Sequence, residues 1–228
     1  MWPSAVILAM HLIKNPSLIQ NSTVVELGSG CGLTGLVAAA IGAKSVIQTD
    51  YNDIVLENLK ANVSLNADVT CTVTTSKLDF YLQSGDSVSG GWYESYSNEE
   101  DTSSNFKVRK EPVSVVLAAD VICKPTDAIA VSKTIFDCLV PGGKAYVLCG
   151  NVKHRFGVDS FEGACQNIGL RVTATVLSSD DNGNNKANDD CGDLDSLLNV
   201  CSGYVKEMDF LLFELTKPSA LGTNRARQ

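Results

Sequence analysis

Histidine is almost absent from this chain: His11 and His154 are the only two, and neither stands at ligand spacing from a cysteine or from the other. No zinc or other metal site is expected. No apolar run approaches the ~20 residues of a bilayer-spanning helix. The opening segment, MWPSAVILAMHLIKNP, has neither a basic start nor a small-residue cleavage site. The expectation is a soluble protein, cytoplasmic or nuclear, with no membrane partner. Basic charge is in deficit as well: 18 Lys and Arg stand against 26 Asp and Glu, a formal net charge of -8. Such a chain has no general attraction for a phosphate backbone, which argues against nucleic acid as a partner. Eight cysteines form no C-x-x-C pair, and most lie in apolar runs where a reduced thiol packs like a small hydrophobe, so free thiols are expected.

What is present is an alternation. Val- and Ile-rich stretches at 23–27, 45–49, 70–75, 113–119, 144–149, 171–177 and 207–214 read as strands. Stretches of helical period at 3–13, 33–41, 53–62, 126–139 and 157–168 lie between them. This is the pattern of an α/β domain on a mostly parallel sheet, with the last two strands forming an antiparallel hairpin. A single domain over 1–217 is expected, followed by a disordered tail at 218–228. Two polar segments rich in Ser, Gly and Asp, at about 84–110 and 178–203, are too long for ordinary connections and read as surface insertions. Trp92, Tyr93 and Tyr96 in the first could cap a pocket or only fold the loop back onto the domain.

The stretch VVELGSGCGLTGLVAAAIGAKSVIQTD, residues 24–50, carries the strongest chemical signal. A strand that enters a helix through glycines leaves N–H groups unpaired and lets a ligand approach the backbone. Gly28, Gly30 and Gly32 are spaced G-x-G-x-G, whereas the dinucleotide fingerprint needs its third glycine one position later, where Leu33 stands. Glu26, two residues before the first glycine, would repel a pyrophosphate and attract a cationic amino-acid moiety, directly or through water. A ligand with an ammonium and a sulfonium, such as S-adenosyl-L-methionine, meets that condition. Asp50, at the end of the second strand, suits the two hydroxyls of a ribose, a role shared by NAD and S-adenosylmethionine sites.

With these residues in view, WPSAVILAMHLI, NSTVVELGSGCGLTGLVAAAIGA, IQTD and VLENLKANVSLN together resemble the family-16 seven-β-strand methyltransferases, a group that contains protein-lysine methyltransferases. The resemblance runs from Trp2 to about Leu170. It implies a Rossmann-like seven-stranded methyltransferase sheet with helices on both faces and an antiparallel last strand. It also implies S-adenosyl-L-methionine as cofactor and a protein as substrate. By position, Trp2 resembles the family's tryptophan beside the cofactor, and Gly28, Ser29 and Gly30 its methionine-binding loop. Asp50 resembles the ribose-binding acid, Asp79 and Phe80 the adenine-side pair, and Ala119 the small residue beside the cofactor. Asp120 resembles the catalytic acid at the mouth of the substrate site. At Cys123 this chain departs from the family, which has an aromatic there, and a thiol cannot stack on an ammonium; Cys123 is a candidate lining residue of the substrate channel. Family members also carry strands before the Trp motif on which this chain begins, so a shortened front is expected. The resulting expectation is a protein-lysine N-methyltransferase. A small-molecule methyltransferase and a cofactor-binding module without catalysis remain as alternatives.

Overall fold

A computed structural model describes residues 1–69, 71–83, 112–150, 156–177, 194–202 and 209–219. Seven strands form one sheet: β1 (Thr23–Leu27), β2 (Ser45–Asp50), β3 (Thr72–Lys77), β4 (Val113–Ala119), β5 (Leu139–Gly150), β6 (Arg171–Leu177) and β7 (Phe210–Thr216). Their order is β3-β2-β1-β4-β5-β7-β6. Neighbours pair in parallel except at β7, which runs antiparallel to both β5 and β6. The chain steps outward in one direction from β1 through β3 and in the other from β4 through β5. The order therefore reverses between β1 and β4, where the crossovers diverge and leave a crevice at the strands' C-terminal ends.

Helices cover both faces. On one face α1 (Pro3–Lys14) and α2 (Leu33–Ala40) bury Val6, Ile7, Leu8, Leu12, Ala38 and Ala39 against Val24, Val46, Leu117 and Tyr146. Pro3 sits at the first position of α1, where its missing N–H costs nothing. On the other face α5 (Pro125–Cys138) and α6 (Val158–Asn167) bury Val131, Ile135, Phe161 and Cys165 against Val25, Val116, Val147 and Phe213. The Phe161 and Phe213 rings meet edge to face at 5.1 Å, a favoured aromatic geometry. Strands β1 and β4, enclosed on both sides, are accordingly apolar along most of their length. At the end of α5, Lys217 donates from Nζ to the carbonyls of Phe136 and Leu139 and lies over the Phe136 ring. It thereby satisfies acceptors that the helix end leaves open. The helix α3 (Asp53–Leu65) is capped by Asn52, whose side-chain oxygen accepts from the N–H groups of Ile54 and Val55.

Several elements differ from the sequence-based expectation. β3 begins and ends two residues later, because its ladder follows β2 out to Asp50↔Lys77. β7 is likewise displaced toward the C-terminus, since it must align with β5 and β6 at once. β5 begins at Leu139 rather than at residue 144, with a register shift opposite Val113 and Val115 that absorbs the Pro-Gly-Gly segment. Within the stretch read as a polar insertion, Leu194–Asn199 forms a helix, α7, and buries Leu198 beside α1. Residues 84–110 with Trp92, Tyr93 and Tyr96, most of 178–203, and 220–228 of the expected tail lie outside the described residues. The seven cysteines among the described residues are free thiols.

Two glycines near α6 behave oppositely. A Cβ on Gly157 would fall on the Lys124 carbonyl, whereas one on Gly163, inside α6, would meet nothing within 4 Å. Gly157→Ala is expected to destabilise the protein by about 1–3 kcal/mol through backbone overlap. Gly163→Ala is expected to stabilise it by about 0.5–1 kcal/mol through helix propensity. Urea unfolding midpoints of the two variants, compared with the parent chain, test both signs.

Candidate active site

At the reversal point β1 delivers the chain into the glycine loop. Gly28, Gly30 and Gly32 have φ of 61°, 54° and 84°, the left-handed region that only glycine enters without strain. The loop is tied to the end of β2: Ser29 N–H donates to the Thr49 carbonyl at 2.8 Å, and Ser29 Oγ accepts from Thr49 N–H at 3.0 Å. Thr49 Oγ1 donates to the Glu26 carbonyl at 2.7 Å. Asp50 joins three elements, one carboxylate oxygen accepting from Gly30 N–H at 3.2 Å and the other from Asn52 N–H at 3.1 Å, just before α3. Each of its oxygens keeps a further lone pair, the arrangement needed to accept from vicinal hydroxyls.

Glu26 is braced within the fold. Its side chain is 3% exposed, and Oε2 accepts from Gln48 Nε2 at 3.0 Å. The same Gln48 nitrogen donates to the Gly32 carbonyl at 2.7 Å, so Gln48 ties Glu26 to the loop. Burial pushes its carboxyl up to about 7, against hydrogen bonds from Ser29, Gln48, Gly35 and Thr34 that pull it down. Gln48 Oε1 is buried and has no partner among the described residues. A protonated Glu26 carries an O–H that this acceptor lacks. A Cβ on Gly35 would lie 2.5 Å from Gln48 Nε2 and 2.6 Å from Glu26 Oε2, so α2 approaches this pair only because residue 35 is glycine.

The remaining candidates gather around the loop. A Cβ on Gly28 would lie 2.7 Å from Val121 Cγ1 and 3.7 Å from the tip of the Phe80 ring, which places the 79–80 segment and the end of β4 on the same mouth. Among the described residues, a Cβ on Gly30 would meet nothing within 4 Å. Asp79 accepts from Tyr81 N–H at 2.8 Å, capping the short helix α4 (Phe80–Gln83). Ala119 ends β4, and Asp120 follows it with φ of 64°. Asp120 N–H donates to the Leu148 carbonyl at 2.8 Å, and its Oδ1 accepts weakly from Gly150 N–H at 3.4 Å. The acid therefore stands between the ends of β4 and β5. Cys123 is exposed, with its N–H bonded to Asp127 Oδ2 at 2.9 Å. Trp2 caps α1 with its side chain half exposed. Sequence reasoning missed Gln48, Gly35, Tyr81 and Asp127; only Gln48, a lone amide in an apolar strand, carried a readable signal.

A family model described as lysine methyltransferase matches residues 1–91. The match lies over the first 91 of the 228 residues, which are similar to that family. The protein N-terminal and lysine N-methyltransferase efm7 of Schizosaccharomyces pombe is 39% identical over 75 residues, 32% of this chain and 29% of the relative. The corresponding EFM7 of Candida glabrata is 28% identical over 148 residues, 65% of this chain and 53% of the relative. The human protein-lysine N-methyltransferase EEF2KMT is 41% identical over 90 residues, 35% of this chain and 27% of the relative. The matches thus span between about a quarter and about half of these relatives' lengths. Among solved structures, the N-methyltransferase NodS from Bradyrhizobium japonicum superposes with a TM-score of 0.55 at 13% identity, covering 92% of this chain and 94% of that one. An O-methyltransferase from Bacillus cereus in complex with SAH gives 0.53 at 14% identity, over 93% and 80%. The fold is that of the class I methyltransferases.

The brace under the loop makes a pH prediction. Because the folded carboxyl of Glu26 titrates near 7 and the unfolded one near 4.5, the native state holds a proton that the unfolded state releases between those values. The stability contribution is complete below the lower value and is lost as pH rises through the upper one. The loss amounts to about 3 kcal/mol. Glu26→Gln retains an uncharged side chain, so its stability relative to the parent should rise steadily between pH 5 and pH 8. Urea unfolding of both proteins across that range checks it, and a pH-independent difference would contradict it.

Proposed function

We propose that this protein transfers a methyl group from S-adenosyl-L-methionine to a lysine side chain of another protein. The observation that carries the reading is the meeting, at one end of the sheet, of the Asp50-anchored glycine loop with Asp120 in a left-handed backbone conformation. The similarity to the lysine methyltransferase family and the activities of the relatives named above support it. Gly28, Ser29, Gly30 and Asp50 would hold the methionine and ribose ends, Asp79 and Phe80 the adenine, and Ala119 and Trp2 the walls. When bound, the cofactor would supply an electrophilic methyl carbon on a sulfonium, whose C–S bond breaks as the bond to the incoming nucleophile forms, the sulfur leaving as the neutral thioether of S-adenosylhomocysteine.

The protein's task is then alignment and charge control. A lysine arrives as an ammonium with a free pKa near ~10.4 and no lone pair. Asp120 would attract and aim it, and release of its proton to water frees the lone pair that attacks. The sequence places no aromatic at position 123 to line the approach, and the exposed Cys123 occupies the expected spot. That substitution favours a second reading, a small-molecule acceptor, which the same experiment separates.

Asp120→Asn is the informative variant, because asparagine tolerates the left-handed backbone while alanine would strain it. Incubated with labelled S-adenosyl-L-methionine and a cell extract, the parent chain is expected to label a protein and yield methyl-lysine on hydrolysis. Asp120→Asn should transfer at least a hundredfold more slowly while binding S-adenosylhomocysteine normally. Label confined to small molecules would select the second reading, and parent-level transfer by the variant would remove Asp120 from the mechanism. Asp50→Asn should weaken S-adenosylhomocysteine binding on the order of tenfold in calorimetry, the scale of one hydrogen bond to a charged group.

A further inference from the structure

The short helix α4 touches both halves of the site. Its first residue, Phe80, lies over Gly28 of the cofactor loop. Its second, Tyr81, sends its hydroxyl the other way, donating to Asp127 Oδ1 and lying 3.2 Å from Thr126 Oγ1 in the first turn of α5. The same Asp127 carboxylate accepts, on its other oxygen, from the N–H groups of Cys123 at 2.9 Å and Lys124 at 2.8 Å. These N–H groups end the loop that begins at Asp120. An unbroken series of bonds thus runs from the adenine-side segment to the acceptor mouth: Asp79 to the Tyr81 backbone, the Tyr81 hydroxyl to Asp127, and Asp127 to Cys123 and Lys124.

We propose that Tyr81 is a positioning residue that couples occupancy of the cofactor site to the order of the acceptor mouth, through Asp127. The proposal rests on the cofactor reading above and adds a residue that neither the glycine loop nor the strand-end acid announces. A purine against Phe80 and Asp79 restrains α4, and the Tyr81–Asp127 bond passes that restraint to the 120–124 loop. The carboxylate holds two adjacent N–H groups with one oxygen and the phenol with the other, so loss of the phenol frees Asp127 to rotate. Burial, and then the bond to Asp127, push the Tyr81 hydroxyl above its ordinary range, so it stays a donor throughout the working pH. An ordered mouth in the loaded enzyme, and a looser one in the empty enzyme, would favour cofactor binding before the acceptor.

Tyr81→Phe removes the hydroxyl and keeps the ring. Site-resolved hydrogen exchange of the Cys123 and Lys124 amides, with and without saturating S-adenosylhomocysteine, reads the coupling without an acceptor. In the parent chain the ligand is expected to slow these amides at least tenfold. In Tyr81→Phe it should slow them less than twofold although its affinity changes by less than threefold. The acceptor KM should rise about tenfold in the same variant. Equal slowing in both proteins, or no slowing in the parent, overturns the coupling while leaving the cofactor reading intact. A tenfold loss of S-adenosylhomocysteine affinity in Tyr81→Phe also overturns it, by making Tyr81 a wall of the adenine site. Failure of the parent to bind the ligand at all removes the cofactor reading and this proposal together.

Discussion

The glycine loop depends on a buried carboxyl group. Glu26 lies beneath the glycine loop, and the hydrogen bonds around it join β1, β2 and the start of α2. Removing such a group from water is costly unless its oxygens are satisfied. Here the cost is met by Gln48, by the N–H of Gly35 and by hydroxyls, and by a carboxyl that holds its proton to about pH 7. The loop above it can then adopt three left-handed glycines in five residues without collapsing onto the sheet. Gly35 is the geometric condition for this arrangement, because any side chain there would enter the space of the pair.

The glycine loop and its anchor at Asp50 were legible from spacing alone. A strand, three alternating glycines and an aspartate at the end of the next strand predict a nucleoside site, and the structure bonds that aspartate to the loop's middle glycine. The carboxylate before the glycines was legible as a residue but not as an orientation. Side chains alternate across a strand, and whether Glu26 faces ligand or interior depends on Gln48, a partner 22 residues away. Strand ends were less readable for a related reason. β3 and β7 stop where their neighbours' ladders stop, and apolar composition does not carry that information. The helix α7 was obscured by its surroundings, since one turn of Leu-rich sequence sits inside a polar stretch.

Similarity to relatives is unevenly spread, and its distribution has a chemical sense. Residues 1–91, matched by the family model, hold the loop, Asp50, Asp79 and Phe80, the residues assigned to the cofactor under the proposed function. Asp120, Cys123 and Asp127 lie outside that span. The acceptor differs from enzyme to enzyme, so the residues that meet it are under no shared geometric demand beyond placing a nucleophile in line with a methyl group. Within this half the backbone N–H of Cys123 is held by Asp127.

Asp120 shows how the fold makes such a demand local. A left-handed backbone at a residue with a side chain costs about 1–2 kcal/mol and persists only where the surroundings impose it. Here the imposition comes from its own N–H, which completes the β4–β5 ladder by donating to Leu148, and from Gly150, which donates to its carboxylate. The chain must turn at once beyond the ladder, because the 120–124 loop enters α5 at Pro125, whose ring nitrogen has no N–H to donate to a ladder. The turn throws the carboxylate outward at the strand ends instead of into either core. A strand that ran one residue further would bury the acid against α5; one that stopped earlier would leave it without the Leu148 anchor. The position of the acid is thus set by where β4 ends, and that end is set by β5.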